Sequence, residues 1–261
     1  RKSTTQRSFQ AIKKTTMGVL DRLLDEKAPP NVVVTAIIFL VLILPTVLIG
    51  VLCGTLLETL SGWSFSVATT ESQWQVFNWH PLLMTFAYST MFGCAALSFK
   101  RLPISHNAAK YVHFGCQSVA VLCSILAIVA VHQFKIASAN AELYIMHAWV
   151  GYVTFILFLL QYLLGAMSFL IPPPYPSVAW RRAFHPVHVA LGCLLLVFTT
   201  TSIVSGIVDR MWIWELYGDP EQSVFAAAYM VSAAAGLATM VACLTVLSHH
   251  VGKKGGYQKM H

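Results

Sequence analysis

Four histidines, each inside its own apolar run, constrain this sequence more than any other feature. They are His80, His113, His147 and His188, and they fall in four consecutive runs. Each is separated from the next by about one membrane helix and one short loop. His80 and His147 lie near the starts of runs that enter from one face, and the other two near the starts of runs that enter from the opposite face. Because an imidazole in hydrocarbon is costly, the sequence predicts functional sites at two membrane depths.

The composition predicts an integral membrane protein made of helices. The chain has 261 residues, of which 57% are hydrophobic and 10% are charged, and its mean hydropathy is +0.67. An ordinary soluble domain carries about 25% charged residues. We therefore expect an all-α polytopic fold with six transmembrane helices, of which helices two to five form a four-helix core around the histidines. The six apolar runs cover about residues 31–60, 80–99, 111–132, 143–171, 185–208 and 222–248.

The distribution of positive charge predicts the orientation in the membrane. With six spans both termini share one face, and all of the 17 Lys and Arg residues except Lys135 and Arg210 fall on that face. The positive-inside rule therefore places both termini in the cytosol. The site of His80 and His147 is then the outer one. The net charge of +7 follows the loops rather than one folded surface, which argues against nucleic-acid binding.

Two helix boundaries depend on particular residues. Because proline is tolerated in the first turn of a helix, His80-Pro81 is interpreted as the start of the second helix. The segment after the fifth run, which begins with Asp209 and Arg210, is interpreted as an acidic loop. At the level of domains, we expect a basic cytosolic tail over 1–30, a six-helix domain over 31–249 and a second basic cytosolic tail over 250–261.

The chemistry of four matched histidines favours haem. A single histidine in a membrane helix is most often a hydrogen-bonded packing residue, but four at two matched depths favour metal ligands. Zinc is disfavoured because no carboxylate or thiolate clusters with them. Two haem b groups per chain fit the pattern, with His80 and His147 on the outer haem and His113 and His188 on the inner one. Such ligation leaves no open iron position, which favours outer-sphere electron transfer.

Three glycines lie close to these histidines in the sequence. Gly151 and Gly192 each follow a histidine by four residues, which places them on the same helix face as that histidine. Gly115 follows His113 by two residues. A missing side chain at these positions leaves room for the edge of a porphyrin, or it allows two helices to pack closely. We predict that all three contact the cofactor.

Basic residues surround the inner histidines at the membrane boundary. We predict that Arg101 lies beside the inner haem and that the others bind an anionic reductant. Juxtamembrane Lys and Arg also serve as topology determinants and lipid anchors, and that alternative stays open here. The residues predicted for the reductant are Lys110, Arg181, Arg182 and His106.

A smaller polar group flanks the outer histidines. It consists of Lys135, Asn140 and Tyr144, which precede His147 in the chain. These side chains are predicted to shape a site for an electron acceptor. Tyr144 is equally well explained as an aromatic residue at the membrane interface.

The residues around the histidines resemble the cytochrome b561 family. The matching stretches are NWHPLLM (78–84), KRLP (100–103), KYVHFG (110–115), LYIMHAWVG (143–151) and AFHPVHVALG (183–192), and together they span roughly residues 75–208. The resemblance implies a six-helix protein with two b haems in a four-helix core. It also implies electron transfer from cytosolic ascorbate to a ferric chelate or monodehydroascorbate outside, in the plasma membrane or in an endosomal, lysosomal or vesicle membrane.

The resemblance also implies roles for individual residues. Lys110 matches a lysine at the family's ascorbate site, and either Arg181 or Arg182 matches an arginine there. His106 stands where some members have a second lysine, and Lys135 stands at a position that is often histidine. Family members are commonly homodimers embedded in membrane lipid, and we expect the same of this chain.

Two other functions stay open at the level of sequence. The first is a di-haem subunit that passes electrons between protein partners, which the short loops disfavour. The second is a proton-coupled transporter whose histidines relay protons. Such a transporter more often has an acidic residue within the membrane, and apart from Glu58 the predicted spans contain none.

Overall fold

The computed structural model describes residues 32–56, 61–139, 143, 145–172, 174–217 and 222–253. All regular structure in this part of the chain is helical, and six helices are long and apolar enough to cross a membrane. The predicted all-α, six-span fold is therefore confirmed. The helices are α1 (Val32–Val51), α2 (Thr70–Arg101), α3 (His106–Ala137), α4 (Met146–Phe169), α5 (Val178–Tyr217) and α6 (Gln222–Lys253).

The start of α2 differs from the prediction. The helix begins at Thr70, so His80 and Pro81 lie about three turns inside it rather than at its first turn. The start is set by a capping box. The Thr69 side chain accepts a hydrogen bond from the N–H of Ser72, and the Ser72 hydroxyl accepts one from the N–H of Thr69. Hydropathy does not detect this beginning because the first turns of α2 are polar.

A π turn over Phe86–Met91 interrupts α2 between its two α-helical parts. A turn of this kind inserts one extra residue into a helix and shifts the side chains that follow. A second π turn, over Leu52–Leu56, extends α1. The insertion in α2 changes the register between the two ends of that helix.

The fifth helix is longer than predicted, and the expected acidic loop after residue 208 is helical as far as Tyr217. The first two charged residues of this added segment contact residues of other helices. The guanidinium of Arg210 lies 4.1 Å from the ring centre of Trp74 and 4.8 Å from that of Phe77, which is cation–π geometry. Asp209 accepts a hydrogen bond from the backbone N–H of His147. These tertiary contacts allow charged residues to continue the helix.

The core consists of two antiparallel helix pairs, α2 with α3 and α4 with α5. The helices pack closely within each pair and loosely between the pairs, so the pairs face each other across a gap. Helices α1 and α6 pack against each other and cover one side. A buried stripe of alanines on α6 permits this close approach. Large apolar side chains cover the outside of the bundle, as expected for contact with lipid.

Candidate metal centres

The four histidine rings come together as two pairs in the gap between the helix pairs. The first pair is His80 on α2 with His147 on α4, and their ring centroids are 6.1 Å apart. The second pair is His113 on α3 with His188 on α5, at 6.2 Å. Each pair takes one histidine from each helix pair. The two pairs occupy opposite ends of the four-helix core.

Three of the four rings are held by the helix packed beside them. Each donates its Nδ1–H to a backbone carbonyl. This bond fixes the tautomer, because it leaves Nε2 without a proton and able to bind a metal. The bonds run from His80 to Ala127 (3.1 Å), from His113 to Ala95 (2.8 Å) and from His147 to Ser202 (2.9 Å).

A regular spacing along the helices produces this arrangement. On α3 the accepting Ala127 lies about four helical turns after His113, and on α5 the accepting Ser202 follows His188 by the same interval. This interval corresponds to a rise of about 21 Å, which is the expected separation of the two sites along the core. On α2 the corresponding interval, from His80 to Ala95, is one residue longer. The π turn within it accounts for the extra residue.

Two glycines make room for histidine rings. A Cβ added at Gly206 would lie 2.7 Å from Cε1 of His147, and one at Gly165 would lie 2.8 Å from Cε1 of His188. Either contact is too short unless the ring moves. Sequence reasoning missed both glycines. A signal for them existed, because each follows the histidine of its own helix by the same interval of about five helical turns.

The three glycines predicted to contact a cofactor have different surroundings. A Cβ at Gly115 would meet nothing within 4 Å. At Gly151 it would lie 3.4 Å from the hydroxyl of Ser202. At Gly192 it would lie 3.6 Å from the side-chain amide of Gln161, and this glycine also lines a cavity beside the second pair. None of the three contacts a histidine ring.

The cavity beside the second pair has a volume of about 240 Å³. Phe99 packs against His113, and Phe169 packs against His188, with ring centroids 5.5 Å and 5.4 Å apart. The cavity combines this apolar wall with several basic side chains. Those lining it besides the second pair are Lys100, Lys110, His106 and His185. The arrangement suits an anion beside the second pair.

The predicted arginines lie outside that lining. Arg101 is buried at the end of α2, with 4% of its surface exposed. Arg181 donates its Nε–H to the carbonyl of Pro176 at 3.2 Å and a terminal N–H to the carbonyl of Ile171. Its guanidinium therefore ties together the connection between α4 and α5. Arg182 is exposed at the start of α5.

The residues predicted near the first pair are only partly described. Lys135 lies in the last turn of α3 and is close enough to both histidines of the first pair to interact electrostatically. Asn140 and Tyr144 lie outside the described residues. On this side, Phe77 lies against His80 with ring centroids 5.9 Å apart, and Arg210 stacks on Phe77 in turn.

The chain matches the model of a known protein family. The model of the eukaryotic cytochrome b561 family matches residues 79–214, which is more than half of the chain and includes all four histidines. The chain belongs to this family. The cytochrome b561 relatives include the lysosomal membrane ascorbate-dependent ferrireductase of Mus musculus, which is 35% identical over 141 residues, covering 52% of this chain and 57% of the relative.

Two further relatives carry similar names. The plasma membrane ascorbate-dependent reductase of Xenopus tropicalis is 33% identical over 139 residues, covering 52% of this chain and 48% of the relative. The lysosomal membrane ascorbate-dependent ferrireductase of Bos taurus is 31% identical over 176 residues, covering 66% and 65%. The chain spans about half the length of most of these relatives.

Membership of a cytochrome b family implies haem b, and the residues present fit it. Two metal–nitrogen bonds of about 2 Å, with a little over 1 Å from each nitrogen to its ring centre, place two ligand rings about 6 Å apart. Both pairs have this spacing. Among the described residues no cluster of three or more His, Cys, Asp or Glu could hold a metal ion. A metal between the rings therefore needs its other ligands from a non-protein group, as a porphyrin supplies.

Proposed function

We propose that this cytochrome b561 carries single electrons across a membrane, from ascorbate in the cytosol to a ferric chelate or monodehydroascorbate on the other side. The observation that carries the proposal is the presence of two histidine pairs at opposite ends of one four-helix core. We assign one haem b to His80 and His147 and a second to His113 and His188. Held by these histidines, each haem would supply a centre for one-electron transfer.

The orientation is part of the proposal. We place the second pair on the cytosolic side, because the basic loops and tails lie at that end of the sequence pattern and only Lys135 and Arg210 lie at the other. The first pair then faces the lumen or the cell exterior. The relatives are named for lysosomal and plasma membranes, and we propose one of these two locations.

Ascorbate is an anion at neutral pH, and the cavity beside the second pair offers it cations. We propose that Lys110 and His106 bind it there, since both line the cavity together with His113. Of the two candidate arginines we favour Arg182, which is exposed, because Arg181 already donates to carbonyls of the α4–α5 connection. Arg181 then has a structural role.

On the opposite side we propose that the acceptor approaches the first pair near Lys135, Asn140 and Tyr144. The names of the Mus musculus and Bos taurus relatives contain the word ferrireductase, which supports a ferric chelate as the acceptor. Lys135 would attract an anionic chelate by its charge.

The histidine geometry also bears on the transporter alternative. A proton relay needs rings that pass protons to other titratable groups. Three of the four rings instead donate Nδ1–H to backbone carbonyls, which accept no proton to pass on. We therefore prefer electron transfer to proton transport.

A vesicle assay tests the proposal. The purified protein is reconstituted into lipid vesicles loaded with ascorbate, and reduction of a membrane-impermeant ferric chelate outside is followed. We expect reduction that requires both the protein and the trapped ascorbate. The matched control is the His113→Ala, His188→Ala double variant, which should be inactive. Reduction by the wild type no faster than by this control would contradict the proposal.

A further inference from the structure

One of the four histidines is held differently from the other three. The Nδ1 atom of His188 is buried, and no group in the described part of the chain forms a hydrogen bond with it. Instead the side-chain amide of Gln161, on α4, donates a hydrogen bond of 2.6 Å to the backbone carbonyl of His188. Gln161 is itself buried, with 6% of its surface exposed, and it lines the cavity of the second pair.

The position of Gln161 corresponds to that of Ser202 on the neighbouring helix. Gln161 follows His147 by the same interval, about four helical turns, as Ser202 follows His188. At Ser202 the backbone carbonyl accepts the Nδ1–H of His147. At Gln161 the side-chain amide is the donor, and the acceptor is the backbone carbonyl of His188. The ring of His188 takes no part in this bond. The two helices thus use equivalent positions in different ways.

A proline lies close to this point of α5. Pro186 is inside the helix, two residues before His188. It supplies no N–H to the carbonyl four residues earlier, at Arg182, and it favours a kink in the turn before His188. The Gln161 amide gives the His188 carbonyl a partner on another helix just after this proline.

Two glycines complete this arrangement. Gly192 lies one turn after His188, and a Cβ there would be 3.6 Å from the Gln161 amide nitrogen. This is an ordinary van der Waals distance, so the Gln161 amide lies directly against this glycine. Gly165, one turn after Gln161, makes room for the His188 ring.

We propose that Gln161 is the positioning residue for His188. Its amide fixes the backbone of this ligand and thereby replaces the ring hydrogen bond that the other three histidines have. The inference rests on the proposed haem at the second pair. It predicts that loss of the amide changes the ligand geometry of that haem and leaves the first haem unaltered.

The test uses Gln161→Leu, which keeps most of the volume and removes the donor. Gln161→Met, an unbranched chain of similar length, serves if the leucine variant does not fold. Low-spin ferric haem signals and midpoint potentials are measured on the purified full chain. The second haem is recognised as the signal that disappears in His113→Ala. We expect the Gln161 variants to shift or broaden that signal and to change its midpoint potential, with the first haem as in the wild type.

A control variant separates positioning from other effects. Gln117→Leu removes another amide that lines the same cavity and is 8% exposed but does not bond to His188. It should leave the second haem signal in place.

Two results would overturn the inference while leaving the proposed function intact. One is a second haem unchanged in both Gln161 variants. The other is an equal change in Gln117→Leu, which would assign the effect to cavity polarity instead of the bond to His188. A wild-type protein without two haems would refute the proposed function itself, and the inference with it.

Discussion

The first and second histidine pairs are built on the same spacing but are enclosed differently. In the first pair both rings donate Nδ1–H to carbonyls of the adjacent helix. In the second pair only His113 does so. Around the first pair, Arg210 stacks on Phe77 and Asp209 binds the backbone of His147. Around the second pair there is a cavity lined by basic side chains.

One repeated pattern thus has different surroundings at its two ends. The two pairs come from different helices, α2 with α4 at the first end and α3 with α5 at the second, and the same interval of about four helical turns relates the two ends. At the first end an open groove lined by Met146, Ser205 and Asp209 lies beside His147, and among the described residues no Lys, Arg or His lines it. The second end leaves space and positive charge beside its histidines, which is what the binding of a small anionic reductant requires.

Replacing one histidine should remove one haem and leave the other. In His113→Ala or His188→Ala the second haem loses a protein ligand, so we expect one haem per chain. His80→Ala and His147→Ala should each remove only the first haem. Haem content per chain and the visible spectrum measure this. Two haems per chain in any of the four variants would contradict the pairing.

The glycines that make room for rings should matter at one end each. In Gly165→Ala the new Cβ displaces the ring of His188, so the second haem should be lost or altered. In Gly206→Ala the ring of His147 is displaced, and the first haem should change instead. Gly236→Ala is the control, because a Cβ there meets nothing within 4 Å. The same low-spin signals report the result. Equal effects of the two variants on both haems would contradict the prediction that each glycine affects one haem only.

Removal of Lys110 should weaken ascorbate binding without changing the haems. In Lys110→Ala we expect the ascorbate concentration for half-maximal reduction to rise by a factor of roughly 1.4 to 5, because a partly solvated ion pair contributes about 0.2–1 kcal/mol. Reduction by dithionite should be as in the wild type. Lys135→Ala, at the other end, is the control and should leave the ascorbate dependence unchanged. If Lys110→Ala needs the same ascorbate concentration as the wild type, Lys110 does not bind ascorbate and serves as a lipid anchor instead.

The two neighbouring arginines should have different roles, and replacing either of them should have a small effect. Arg182→Ala should raise the ascorbate requirement slightly, because an exposed cation contributes little. Arg181→Ala should leave that requirement unchanged and lower the thermal stability, because the carbonyls of Pro176 and Ile171 lose their donor. Ascorbate titrations and thermal unfolding of the two variants decide between them. The reverse pattern would exchange the two assignments.

Much of this architecture follows from hydropathy, because a membrane helix must be apolar over its hydrocarbon-spanning length. The six spans were predictable for that reason. The ends of the helices were not, because polar turns extend them. The capping box at Thr69 starts α2 about three turns before His80, and cation–π contacts allow α5 to continue through Arg210.

The candidate site was predictable to a different extent. The histidines were recognisable because imidazole is costly in hydrocarbon. The sequence alone does not show which glycines lie against the histidine rings, because that depends on how two helices pack. Gly165 and Gly206 each lie about five turns from the histidine of their own helix but contact the histidine of the other. The role of Gln161 depends on the same packing, so no local motif indicates it.

We expect each histidine pair to hold one haem and ascorbate to reduce both haems. The most direct measurement is a reduced-minus-oxidised visible spectrum of the purified wild-type protein with quantified haem, taken first with ascorbate and then with dithionite. We predict two low-spin b haems per chain, largely reduced by ascorbate. A protein without haem, or one whose haems respond only to dithionite, would contradict the account.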